Sequence, residues 1–126
     1  MFKKILPVLV ISLIIFGVYK LVTNKPVGVS DDQAELIFFW GDGCPHCEKV
    51  KQYISQSKVD AKVKISYKEV YYNKTNQDQL LQTVKKCPEI GTSQGIGVPL
   101  AYDKANSKCL YGDQPIIDWL KARMLK

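Results

Sequence analysis

The chain has 126 residues, 46% of them apolar and 24% charged, with a formal charge of +6. That length holds one domain. Lys3, Lys4, Lys20 and Lys25 supply four of the eighteen basic residues, and from Val27 onward fourteen bases against twelve acids leave only +2, an ordinary soluble surface with no basic patch to suggest nucleic-acid binding.

In chain order, the first feature is an uncharged stretch from Ile5 to Tyr19, led by Lys3 and Lys4. With Lys20 snorkelling, the apolar run extends to Val22, enough for a tilted or slightly short membrane span. We read residues 1–25 as an uncleaved signal anchor and transmembrane helix. A cleavable signal peptide is the alternative, but no Ala-x-Ala-like site follows the run, and the small triplet Gly28-Val29-Ser30 sits late. Lysines flank both sides, so charge counting barely orients the span. Residues 26–34 form a tether broken by Pro26 and Gly28, and residues 35–126 form the folded domain.

Past the tether the pattern alternates. Leu36 to Trp40 is a continuous apolar run, expected of a central strand covered on both faces. Pro45 to Ser57 places Cys47, Val50 and Ile54 at helical spacing. Val63 to Val70 alternates as a half-buried strand does. Thr75 to Lys86 returns to helical spacing through Leu80, Leu81 and Val84. Val98 to Tyr102 and Lys108 to Tyr111 read as a hairpin around the turn residues 103–107. Ile116 to Leu125 closes the chain as a helix. The expected order is βαβαββα.

Between the first strand and first helix stands Cys44-Pro45-His46-Cys47. A cysteine at a helix start meets unpaired N–H groups and the positive end of the helix dipole, both of which favour the attacking thiolate. Pro45 suits the first helical position, where no N–H is needed. His46 is the single histidine and, when protonated, adds a cation beside Cys44. The pattern points to thiol–disulfide exchange. A zinc site needs four ligands, and Cys87 and Cys109 are isolated residues rather than a second CxxC pair. A purely structural Cys44–Cys47 bond closes too small a loop to stabilise much.

This order, with CxxC after the first strand and Val98-Pro99 before the third, resembles the thioredoxin superfamily from about Glu35 to the C-terminus. The resemblance implies an α/β thioredoxin-like fold, a central mixed sheet flanked by helices. It assigns Cys44 as nucleophile, Cys47 as resolving thiol and His46 as tuning residue. Val98 and Pro99 would dock the substrate, Trp40 would shield the site, and Pro45 would lie at the substrate surface. A cis Val98–Pro99 bond would turn the Val98 backbone toward an extended substrate strand, and Gly95-Ile96-Gly97 gives the loop freedom for it; a trans proline opening an edge strand is the alternative. Gly112-Asp113 before the last helix resembles glutaredoxin-like chains. One departure stands out: thioredoxins carry a buried carboxylate six residues before the first cysteine, where this chain has Phe38. Glu48 and Lys49 are candidates for the proton shuttle that position would serve, although a solvated helix face suits both.

The Pro-His pair is that of DsbA-type thiol oxidases, which implies an oxidising couple, although the chain has no room for their helical insertion. A membrane-anchored reductase or isomerase, or a dedicated partner of a membrane enzyme, is the closest rival; a redox-inactive binding module is another class. The expected setting is a single-pass plasma-membrane protein, monomeric, with its dithiol extracytoplasmic. There it would act on thiols and disulfides of exported proteins and be recycled by a membrane redox partner. No cofactor or metal is expected. Cys87 continues the Leu80 and Val84 stripe, and Cys109 lies in the second hairpin strand. A Cys87–Cys109 bridge, two separate buried thiols and a second redox pair all remain open.

Overall fold

Leu36–Trp40 (β1) is apolar throughout and carries the fold's centre. The computed structural model describes residues 2–23, 28–91, 93 and 95–126, with side chains in the first helix described for residues 7–19. Around β1 lie Ile65–Glu69 (β2), Leu100–Asp103 (β3) and Lys108–Tyr111 (β4), in the sheet order β2-β1-β3-β4. β2 runs parallel to β1, whereas the β1–β3 and β3–β4 pairs are antiparallel. The helices are Phe2–Thr23 (α1), Pro45–Ser57 (α2), Lys74–Val84 (α3) and Asp113–Met124 (α4). This mixed sheet and element order are those of a thioredoxin-like fold.

Side chains on a strand alternate between faces, and β1 uses both. Leu36 and Phe38 pack with Val50 and Ile54 of α2 and with Ile116 and Leu120 of α4. Ile37 and Phe39 turn the other way, toward Leu80 and Val84 of α3. Phe38 and Phe39 are wholly inaccessible. The position where thioredoxins place a carboxylate is therefore filled with ring carbon.

Several element edges differ from the sequence expectation, among them the end of α3 at Val84 rather than Lys86. β2 starts at Ile65, since Val59–Ala61 form a short 3-10 turn and Val63 is buried behind it. β3 starts at Leu100, after Pro99, which has no N–H for a ladder. α4 starts at Asp113 rather than Ile116, because a proline such as Pro115 is tolerated in a helix's first turn, where N–H groups lack intrahelical partners. Cys87 falls just beyond α3 yet stays in the same buried cluster.

The expected anchor, residues 1–25, lies partly outside the described residues. α1 is a continuous helix whose described side chains include exposed Val8, Leu9, Leu13 and Ile14. Among the described residues no helix is long and apolar enough to cross a membrane.

Candidate active site

The turn from β1 to α2 builds the site. Gly43 takes a positive φ of 74°, open to glycine at no steric cost, and the Cys44 N–H donates to Gly41 O at 3.2 Å. Cys44 is then the N-cap of α2, in extended conformation, with Pro45 opening the helix. Its Sγ accepts the Cys47 N–H at 3.2 Å, doing with sulfur what a serine or aspartate oxygen does at other helix starts. Cys44 and Cys47 form a disulfide. When it opens, the negative charge on Cys44 meets that N–H and the helix dipole, so the geometry favours its thiolate. Cys44 is 5% exposed and Cys47 wholly inaccessible, so an incoming sulfur reaches Cys44.

Across from α2, the Val98–Pro99 bond is cis, and Val98 O lies 3.7 Å from Cys44 Sγ. The loop is fastened behind this point, where the Gly112 N–H donates to Pro99 O at 3.0 Å. Cys44, Cys47, Val98 and Pro99 therefore converge.

His46 points along the surface to Asp113 at the start of α4, with Nδ1 3.1 Å from the carboxylate. Ionised Asp113 only accepts, so Nδ1 carries the proton. Lys49 Nζ reaches the same oxygen at 3.2 Å. The His46 hydrogen bond, with Lys49 adding to it against a smaller desolvation effect, holds the Asp113 carboxyl down at about 2. Lys49 is thus engaged by Asp113, and Glu48 pairs with Lys51 at 2.7 Å; as shuttles for the Cys47 proton, both have other partners.

Pro45 is exposed at the surface beside Cys44. Trp40 lies at the end of β1 with Lys51 Nζ 4.0 Å from its ring centroid. It lines a cavity of about 680 Å³ with Val29, Ser30 and Tyr67, a set containing neither sulfur. Cys87 and Cys109 form a second disulfide, which keeps them from joining Cys44 and Cys47 in a four-sulfur metal set.

Two residues have roles that the sequence reading does not assign. Asp113, noted there only in the Gly112-Asp113 pair before the last helix, opens α4 and meets His46, although an acid at a helix start is a recognisable signal. Glu69 closes β2, and its Oε1 accepts the N–H of Tyr71 at 2.7 Å and of Asp42 at 3.4 Å, while Oε2 accepts the N–H of Tyr72 at 3.0 Å. Desolvation raises its carboxyl, but the donors of Tyr72, Tyr71 and Asp42 outweigh that and hold it below the usual range. No sequence pattern announces such a convergence of backbone donors.

No family model and no curated protein matches the chain. Among solved structures, the crystal structure of oxidized glutaredoxin 2 from Chlamydomonas reinhardtii is similar, with 22% identity and a TM-score of 0.41, covering 73% of this chain and 76% of that chain. At that closeness the likeness says nothing about the site, whose description rests on the geometry above.

Proposed function

We propose that the protein is a thiol–disulfide oxidoreductase, anchored to the plasma membrane through residues 1–25, that forms disulfides in exported proteins. The observation that carries this reading is Cys44 capping α2 through its sulfur, 3.2 Å from the Cys47 N–H and 3.7 Å from Val98 O. A substrate thiolate attacks Cys44 Sγ, the Cys44–Cys47 bond breaks, and Cys47 leaves as a thiolate. A second substrate thiolate attacks the mixed disulfide, releasing Cys44 and an oxidised substrate. The protein dithiol then passes its two electrons to a membrane redox partner.

Stabilising the Cys44 thiolate stabilises the reduced form and makes the disulfide a stronger oxidant. Support for the anchor comes from the exposed apolar side chains of α1. Tethering would raise the local concentration of a membrane partner, and disulfide formation belongs outside the cytoplasm.

The test is glutathione equilibration of the Cys44–Cys47 couple in the full chain. A potential near about −120 mV, that of a strong oxidant, supports disulfide donation. A potential near about −270 mV makes the protein a reductase. A pair that does not titrate makes it a binding module.

A further inference from the structure

Four strand ends meet at the reactive end of the sheet, because Trp40 pairs with Glu69, Phe39 with Leu100, and Leu100 with Tyr111. The inner two carry the chemistry, Gly41 to Cys44 after β1 and Val98-Pro99 before β3. The outer two each present a tyrosine. Tyr71 follows β2, and its ring covers Gly41 so closely that any side chain at residue 41 would overlap it. Tyr111 ends β4, its hydroxyl oxygen only 2.7 Å from where a Cβ on Gly97 would stand. Both rings are seated on glycine backbone, yet Tyr71 remains 50% exposed and Tyr111 52%.

A lone exposed tyrosine needs no explanation. Two of them, each set against the backbone flanking one half of the dithiol site, form a pattern. Tyrosine offers a large amphipathic contact area at low entropic cost. Neighbouring strands lie about 4.8 Å apart, so three spacings set the two residues about 14 Å from one another, the reach of about four extended residues. Between them Val98 O faces Cys44 Sγ, and among the described residues the Val98 N–H has no backbone partner. An extended chain is the shape that meets such a backbone.

We propose that Tyr71 and Tyr111 are specificity-determining residues, the two walls of a cleft that selects a cysteine within an extended polypeptide over a small thiol. Glu69 is the positioning residue for the first wall, since its carboxylate gathers the N–H groups of Tyr71, Tyr72 and Asp42. This deepens the dithiol reading above and rests on it. The chemistry is the same exchange: a peptide thiolate attacks Cys44 Sγ, the Cys44–Cys47 bond breaks, and Cys47 leaves as a thiolate that takes a proton from water. A second peptide thiolate then attacks the peptide sulfur and frees the Cys44 thiolate. Two peptide thiols are oxidised as one protein disulfide is reduced.

The experiment compares how fast the disulfide form of the full chain is reduced by a ten-residue peptide with a central cysteine and by 2-mercaptoethanol. In the double variant Tyr71→Ala, Tyr111→Ala the peptide-to-mercaptoethanol rate ratio is expected to fall about tenfold, the effect of two modest aromatic contacts. The double Phe variant keeps the rings and should keep the ratio. Glu69→Gln should lower the ratio in the parent but add nothing once Tyr71 is alanine. An unchanged ratio in the double alanine variant overturns the two walls, as does a Phe pair that loses as much as the Ala pair. Losses from Glu69→Gln and Tyr71→Ala that simply add overturn the positioning role. Parent protein reduced by neither thiol overturns the dithiol reading itself, and the cleft with it.

Discussion

The Asp113 carboxylate lies 3.1 Å from His46 Nδ1, across 67 positions of sequence. The charge beside the dithiol is therefore shared by three residues, His46, Lys49 and Asp113, and α4 is fastened to the start of α2 through it.

The Asp113 carboxyl sits at about 2, below its ordinary 3.8. A depressed carboxyl adds stability above the ordinary value and loses it as pH falls through the folded one. Urea unfolding should show the parent more stable than Asp113→Asn at pH 5 and the gap narrowing steadily toward pH 2. A gap independent of pH would mean that the ionised pair contributes nothing.

The same cluster should tune the redox couple in two directions. Replacing Asp113 with Asn removes a negative charge near Cys44, favours its thiolate, and should raise the reduction potential, on the order of 10 mV. His46→Tyr removes the imidazole and should make the couple more reducing. Glutathione titration of the two variants checks both signs, and shifts in the same direction would contradict the assignment.

Cys44→Ser should abolish exchange. Cys47→Ser should accumulate mixed disulfides with substrate, because the resolving thiol is gone. Non-reducing electrophoresis after acid quenching reads both, and a Cys47→Ser protein that traps nothing would contradict the assignment.

The Cys87–Cys109 bridge spans 22 positions. Removing it with paired alanines should cost about 3 kcal/mol in the chain-entropy account, measured by urea unfolding with the Cys44–Cys47 bond intact.

Asp103 is buried yet fully engaged, accepting from Trp119 Nε1 at 2.7 Å, Asn106 Nδ2 at 2.6 Å and the Ala105 N–H at 3.1 Å. Asp103→Ala strands the Trp119 donor and frees the hairpin turn, at about 2 kcal/mol. Asp103→Asn, which keeps one acceptor, should cost less in the same unfolding measurement.

Much of this was legible in the sequence. The unbroken apolar run of β1 announced a strand with two covered faces, and Phe38 and Phe39 occupy opposite clusters as that pattern requires. The CxxC spacing announced the capping cysteine, since a thiol at a helix start is a local event. The partners of His46 were not legible, because the apolar pattern starts the last helix only at Ile116, three residues late, and Asp113 meets His46 only when α4 lies beside α2. Nor were Tyr71 and Tyr111: that they share one end of the sheet follows from strand order, which alternation within a strand does not encode. The pairing of Cys87 with Cys109 likewise depends on how β4 lies against the chain after α3.

The Val29 N–H donates to Ile65 O at 3.0 Å, at the beginning of β2, while the dithiol stands at the end of the sheet where β2 finishes. The strand length between them is about 13 Å. The first residues of the domain thus attach along β2, with Gly28 against Tyr67 midway along the strand and Val29 and Ser30 lining one cavity with Trp40, while the sulfurs lie beyond the strand's end. Among the described residues the hydrogen bonds of Cys44 run to Gly41, Cys47, Glu48 and Val98, none of them before Glu35, so a change in the entering segment near Val29 leaves the sulfur's own bonding partners alone.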